Sequence, residues 1–249
     1  MRRSLQSIAT LCFSIVAGAA FGADSAPVKV LSTIAVQGAY TEVQPLLSPS
    51  VKTEFAQTVP LVERLSKGET ADVVILTHAA VEGLAAKGRV KSQADLILST
   101  VGIAFAEGAK TPPMKSKDDF IAFLKATPSV AYSTQGQSGM YIAKLIVDLG
   151  LADVVKPKAV LVTEGPTATR LIKGEVVAAI QQISELKNGG AKNIIPLPDD
   201  IQLRTVFTAA VLNDTTHAKE AEDVLKVLTS AKAAEAYKRS GAEPMVKAK

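Results

Sequence analysis

The chain has one cysteine, two histidines and no tryptophan, and aromatic residues fill only 4% of its 249 positions. The single cysteine, Cys12, lies in the apolar N-terminal stretch. A chain cut behind that stretch keeps no thiol, which excludes disulfides, thiolate metal sites and cysteine nucleophiles together. His78 and His217 belong to no spaced His/Cys cluster of the kind that binds zinc. Blocks of like charge are missing too, because lysines are spread among acids along the whole length. The formal charge of +4 falls to +2 once Arg2 and Arg3 are removed, and no aromatic-interleaved basic stripe exists, so composition gives no support to nucleic acid binding. No apolar run beyond the first 23 residues is long enough to cross a membrane. Neither a Gly-x-Ser-x-Gly elbow nor a Gly-Lys-Ser/Thr phosphate loop is present.

What is present begins with export. Arg2 and Arg3 precede an apolar run over 11–21 that ends in Phe21-Gly22-Ala23, the pattern of a cleavable signal peptide over residues 1–23. A bulky Leu11 before Cys12 argues against a lipoprotein cut. The expected compartment is the periplasm, with a soluble mature chain that holds together by packing alone.

From Val28 onward, short β-branched runs alternate with amphipathic stretches, the pattern of a sheet covered by helices. Strands are expected at 28–32, 52–57, 72–77, 96–106, 129–132, 159–162, 177–181, 193–196 and 203–212. Helices are expected at about 36–47, 59–67, 79–87, 118–126, 139–149, 167–173, 217–230 and 232–240. Thr77 and Ser116 read as N-caps, and Gly68, Gly88, Gly150, Gly174 and Gly241 as helix C-terminal glycines. The runs at 96–106 and 203–212 are longer and more continuously apolar than their neighbours. They predict two crossover strands, hence an α/β fold of two lobes: residues 24–103 with 208–249, and 104–207.

The order of these segments resembles the periplasmic molybdate-binding protein family, a branch of the type II solute-binding proteins of ABC importers. The resemblance rests on residues 30–35 at the first strand end, on Leu65-Ser66-Lys67-Gly68-Glu69-Thr70-Ala71-Asp72-Val73-Val74-Ile75, on 133–144, on 171–183 and on Tyr237-Lys238-Arg239-Ser240-Gly241. It implies a ligand held between the lobes by hydroxyls, backbone N–H groups and helix starts, with no cofactor or metal, no catalytic residue, and a monomer that delivers a small anion to an importer permease. The binding residues it implies are Ser32, Thr33, Ala35, Thr58, His78, Ser138, Gly139, Tyr141, Pro166 and Gln182.

The loop 133–139, with Ser133, Thr134, Gln135, Gly136, Gln137, Ser138 and Gly139, is the strongest of these stretches, because two glycines let a ligand approach the backbone. Two positions depart from the family. Ala35 stands where a serine is usual and Gln182 where a tyrosine is usual, so a small organic carboxylate competes with a metal oxyanion. Arg64 and Arg170 are the available bidentate carboxylate clamps, although each sits on a helix among Lys and Glu and reads first as a solvated helix face. Two alternatives stay open: an exported hydrolase built on Ser133 or Ser138 with Lys144, and a binding subunit that feeds a sensory receptor.

Overall fold

A computed structural model describes residues 27–246, and the leader expected over 1–23 lies outside the described residues. The first unit is built from β1 (Val28–Thr33), α1 (Gln37–Val43), β2 (Val51–Ala56), α2 (Thr58–Ser66), β3 (Val73–Thr77) and α3 (His78–Ala85). The chain then leaves through β4 (Val90–Phe105), a strand of 16 residues. The second unit holds α4 (Lys117–Ala126), β5 (Val130–Ser133), α5 (Gln137–Asp148), α6 (Ala152–Val155) and β6 (Ala159–Val162), then α7 (Ala168–Ile172), β7 (Ala178–Gln182), α8 (Ile183–Asn188) and β8 (Asn193–Pro196). β9 (Arg204–Leu212) returns, and α9 (Ala218–Leu228), α10 (Ala231–Arg239) and β10 (Glu243–Pro244) complete the first unit.

The strands run in the order β2-β1-β3-β9-β4-β7-β5-β6, with β8 and β10 also pairing with β4. β1 is parallel to β2 and β3, and β5 is parallel to β6 and β7. Every pairing made by β4 is antiparallel, including its long ladder with β9. Parallel strands covered on both faces need continuous apolar runs. Alternate residues accordingly enter opposite cores. In the first unit Val30, Val73 and Val211 face α1, α9 and α10, while Leu31, Val74 and Leu212 face α2 and α3. In the second, Val130 and Ile180 face α4 and α5, and Ala131 and Ala179 face α7 and α8.

β4 is the element that makes two lobes of one sheet. Its Leu96 and Ile97 belong to the first core, and its Val101, Ile103 and Phe105 to the second. The expected α/β, two-lobed fold with two crossover strands is what the chain adopts. A register shift between Asp95 and Ile97 interrupts the β4–β9 ladder just before the passage, where an irregularity lets the ribbon bend. Gly102 lies just beyond. A Cβ there would come within 2.8 Å of Ile183 Cγ1 and 3.0 Å of the Ile195 carbonyl, so only glycine lets α8 and β8 close on the strand.

Local expectations fared unevenly. Ser116 caps α4 by accepting from Asp119 N at 3.2 Å, whereas Thr77 occupies the N-cap position of α3 without a side-chain bond. All five glycines expected at helix ends have positive φ. β4 starts at Val90 rather than 96, because Lys91, Ser92, Gln93 and Asp95 break the apolar run while their backbone still pairs with β9. The stretch after Gln181, expected to be a loop, contains α8, whose six residues are too few to show a helical period.

Candidate functional site

The carboxyl ends of β1 and β2 in one lobe face those of β5 and β6 in the other, and the loops leaving them line a cavity of about 520 Å³. The first lobe lines it with Ile34, Gln37, Phe55, Ala56, Gln57 and Pro60. The second contributes Gln135, Thr163, Glu164, Gly165 and Pro166. Lys, Arg and His are absent from this lining, and Glu164 is its single charged residue. A ligand here meets amides, the Thr163 hydroxyl, the Glu164 carboxylate, backbone and apolar surface.

Gln57 precedes α2 and is buried, and its Nε2 donates across the cleft to Ser133 Oγ at 2.9 Å. Ser133 Oγ also accepts from Gln135 N at 3.3 Å and Gly136 N at 3.2 Å, so the turn entering α5 is tied to a residue of the other lobe. Gln57 Oε1 has no partner. Nor have Ser138 Oγ, Gln181 Nε2 and Gln182 Oε1, all of them buried. A buried polar atom left unpaired costs about 1–3 kcal/mol. These four belong to strand ends and helix starts, and of them Gln57 alone lines the cavity.

Beneath the second lobe's wall, Gln181 Oε1 accepts from Thr167 N at 2.6 Å and Thr167 Oγ1 at 3.1 Å, which fixes the segment that follows Pro166. With its carbonyl occupied, the Gln181 amide turns Nε2 toward Glu185, a contact too loose to be a full hydrogen bond. Glu185 lies in the first turn of α8. Burial pushes its carboxyl up to about 8, against the smaller opposing pull of the Gln182 backbone N–H and the Gln181 amide. At neutral pH it is therefore an uncharged acid. Gln182 Nε2 donates to Thr205 Oγ1 on β9 at 3.1 Å, next to the lobe passage.

Of the residues expected at the site, Pro166 lines the cavity. Thr58 is half-buried between the lining residues Gln57 and Pro60. Ser138 and Gly139 are buried in the first turn of α5, where a Cβ on Gly139 would collide with the Ser133 carbonyl. Ser32 and Thr33 are buried at the end of β1; Ser32 Oγ donates to Thr33 O at 3.1 Å, and Thr33 Oγ1 accepts from Ala35 N at 3.4 Å. Ala35 packs its side chain in the first lobe's core. Tyr141 packs against the second lobe's core and donates to Ile201 O at 2.8 Å. His78 sits by the crossover strands, with Nδ1 2.9 Å from Asp95 Oδ1 and 3.2 Å from Thr208 Oγ1. His217 faces Asp72 at the start of β3. Neither arginine lines the cavity: Arg64 is tied to Glu69 and Glu54, and Arg170 to Glu175. Lys144 pairs with Asp148. Sequence reasoning missed Ile34, Gln37, Phe55, Ala56, Thr163, Glu164 and Gly165, of which the Gly165-Pro166 pair carried a turn signal.

Among the described residues, no group of three or more His, Cys, Asp or Glu is placed to hold a metal ion. No helix among them is long and apolar enough to cross a membrane. The model for a family described as bacterial extracellular solute-binding protein matches residues 38–243. Over 231 residues the chain is 32% identical to an aconitate isomerase of a Pseudomonas species, with 87% of each protein covered. The periplasmic molybdate-binding protein of Azotobacter vinelandii superposes with a TM-score of 0.70 at 14% identity, over 86% of this chain and 98% of that one. A periplasmic thiamin-binding protein gives 0.68 at 14%, over 89% and 84%. The sulfate-binding protein of Mycobacterium tuberculosis gives 0.64 at 15%, over 88% and 87%. At such identities the superpositions speak for the fold alone, and the ligands in those three names differ from one another.

Proposed function

The chain belongs to the bacterial extracellular solute-binding protein family, and on that premise we propose that it captures a small organic carboxylate between its lobes and delivers it to an ABC importer from the periplasm, as a monomer. The reading takes residues 24–103 with 208–249 as one lobe and 104–207 as the other, closing on the ligand about β4 and β9. The observation that carries it is the cavity itself: about 520 Å³, walled from both lobes, floored by amides and hydroxyls and free of cationic side chains. That volume sits inside the range of organic-ligand pockets, roughly 300–1,000 Å³. Ile34, Phe55 and Pro60 offer an apolar body something to pack on, which a bare oxyanion does not need. The carboxylate end is held by side-chain amides such as Gln135 and by backbone N–H groups of the strand-end loops. The kinship with an enzyme named for aconitate, a tricarboxylate, supports a carboxylate over molybdate.

A ligand that touches both lobes stabilises the closed form by its differential affinity. At a hundredfold excess over Kd it adds about 2.7 kcal/mol of stability. The test is a thermal-shift and calorimetric screen of mono-, di- and tricarboxylates, with molybdate and sulfate beside them. Saturable binding of a carboxylate is the expected result. A response to molybdate alone, or to none of them, refutes the proposal.

A second reading has its own support: the 32% identical relative is an isomerase, and Glu185 of the second lobe is a buried, protonatable acid. Isomerisation of an unsaturated carboxylate requires a proton to leave one carbon and return to another. Proton NMR of cis- and trans-aconitate incubated with the protein decides the matter. Interconversion would make the chain an enzyme, and unchanged spectra with saturable binding leave it a carrier.

A further inference from the structure

One hydrogen bond between the lobes stands at the rim of the cleft, away from the crossover strands. In the sheet order β2 lies three places from β9, and β5 lies two places from β4. Gln57 follows β2 and Ser133 ends β5, and Gln57 Nε2 donates to Ser133 Oγ at 2.9 Å. By contrast, the contacts of Asn188 Nδ2 with Gln37 Oε1 at 3.3 Å and of Lys187 Nζ with Arg239 O at 3.4 Å leave from α8, which follows β7 next to β4. Neighbouring strands are about 4.8 Å apart, which sets the Gln57–Ser133 bond roughly 10–15 Å from the passage between the lobes. A rotation of about 10° at that passage moves the rim by roughly 2 Å, enough to part the bond while the contacts of α8 shift less.

Both partners are held in place for it. Ser133 is fully buried, and its Oγ also accepts from the N–H groups of Gln135 and Gly136, which fixes it within its own turn. Gln57 is buried directly ahead of α2. A Cβ on Gly136 would stand 3.7 Å from Gln57 Cδ and 3.8 Å from Oε1, so the amide packs on the opening of α5 in the other lobe. Gly136 occupies the N-cap position there and offers no side-chain cap. The Oε1 end of the amide has no partner. Closing thus gives the amide one bond and takes water from its other end, two changes of similar size and opposite sign. A join so balanced can hold and let go again. Charge does not oppose it, because Glu164 is the single charged residue of the lining and the first lobe's part of that lining carries none.

We propose that Gln57 and Ser133 form a reversible latch between the lobes, which draws the cleft shut before a guest contributes and slows the guest's escape afterwards. The latch needs no particular ligand and so goes beyond the carboxylate reading above. Both side chains act by position: they set the start of α2 against the turn entering α5, and the guest then stabilises a closed form that is already populated.

The lobes can be watched directly, since a chain with Cys12→Ser has no cysteine of its own. Spin labels go on Glu63→Cys in α2 and Val147→Cys in α5, both exposed, and double electron–electron resonance reads the distance between them in ligand-free protein. The ratio of closed to open distances is compared among the unaltered latch, Ser133→Ala, Gln57→Met and the double variant, with circular dichroism to verify each fold. Ser133→Ala alone leaves both ends of a buried amide unpaired and lowers the ratio about tenfold. With Gln57→Met no amide remains, and the same serine change moves the ratio by about twofold or less. Stopped-flow mixing with trans-aconitate supplies the second readout: release about tenfold faster from Ser133→Ala, with association nearly unchanged. An unchanged ratio or unchanged release in Ser133→Ala, or a fall of equal size with and without the Gln57 amide, overturns the latch. Should no carboxylate bind the wild type, the carboxylate reading fails, and the ligand-free distances still decide for or against the latch.

Discussion

Replacing Glu185 by Gln should make the protein more stable, by an amount that grows with pH. In the folded chain the carboxyl is raised from its ordinary 4.5 to about 8 by burial. The unfolded chain therefore releases the proton near pH 4.5, while the folded chain keeps it until about pH 8. Between those values the native state binds more protons than the unfolded one, so stability falls as pH rises. The contribution is complete below pH 4.5 and is lost by the time pH passes 8. At about 1.36 kcal/mol per pH unit, the whole interval amounts to roughly 5 kcal/mol, an upper bound for a compact unfolded state. Glutamine keeps the shape and does not titrate. Urea unfolding of both proteins at pH 5, 6, 7, 8 and 9 cancels every other titrating group in the difference. The variant's advantage should climb by up to about 1.4 kcal/mol per pH unit between pH 5 and 8 and then level off. A difference that stays constant across that range would refute a neutral, buried Glu185.

Three other outcomes follow from the geometry. Gln57→Ala removes the 2.9 Å bond to Ser133 that joins the lobes; ligand affinity should fall about tenfold in calorimetry, with stability changing by about 1 kcal/mol or less, as for one net hydrogen bond. Gly139→Ala sets a Cβ against the Ser133 carbonyl and should cost about 1–3 kcal/mol in urea unfolding while shifting the loop enough to abolish binding. Asp72 accepts bonds from Lys29 N at 2.7 Å, Thr215 and His217, which together outweigh burial and lower its carboxyl; Asp72→Asn should destabilise by about 1–3 kcal/mol at pH 7, and the deficit should vanish below the ordinary carboxylate range, where the wild-type acid is itself protonated.

The frame of this protein was readable because its strands are buried on both faces. Residues such as 73–77 form continuous apolar runs, and glycines with positive φ punctuate the helices that follow. The second crossover was legible from its apolar length. The first was read six residues short, because residues 90–95 face solvent on one side and show no apolar run. The site was harder to see. The cavity draws Gln57, Pro60 and Gln135 from around Thr58 and from the stretch 133–139, yet which side chain points into the gap depends on how the lobes meet. Ala35 and Tyr141 sit in the expected segments but turn into the cores. Gln37 was read as one more helix residue and lines the cavity. No local pattern distinguishes those cases, since burial by the opposite lobe leaves no period in a sequence.

The substitutions at the expected hydroxyl positions also acquire a physical meaning. An alanine at position 35 leaves its backbone N–H bonded to Thr33 and gives its methyl group to the core. A glutamine at position 182 spends its N–H on Thr205 and keeps a bare carbonyl oxygen, which repels an anion and suits a donor. Both changes subtract hydroxyl donors from the floor. Of the two bare amide oxygens, Gln57 Oε1 belongs to a lining residue and suits a guest that brings its own hydroxyl, whereas Gln182 lies outside the lining. An unpartnered Gln57 Oε1, an apolar flank on Ile34 and Phe55 and the lone charge of Glu164 are what the cavity presents. On the reading proposed above, such a cleft favours the hydrogen-bonding pattern of a small organic acid over the charge of a mineral oxyanion.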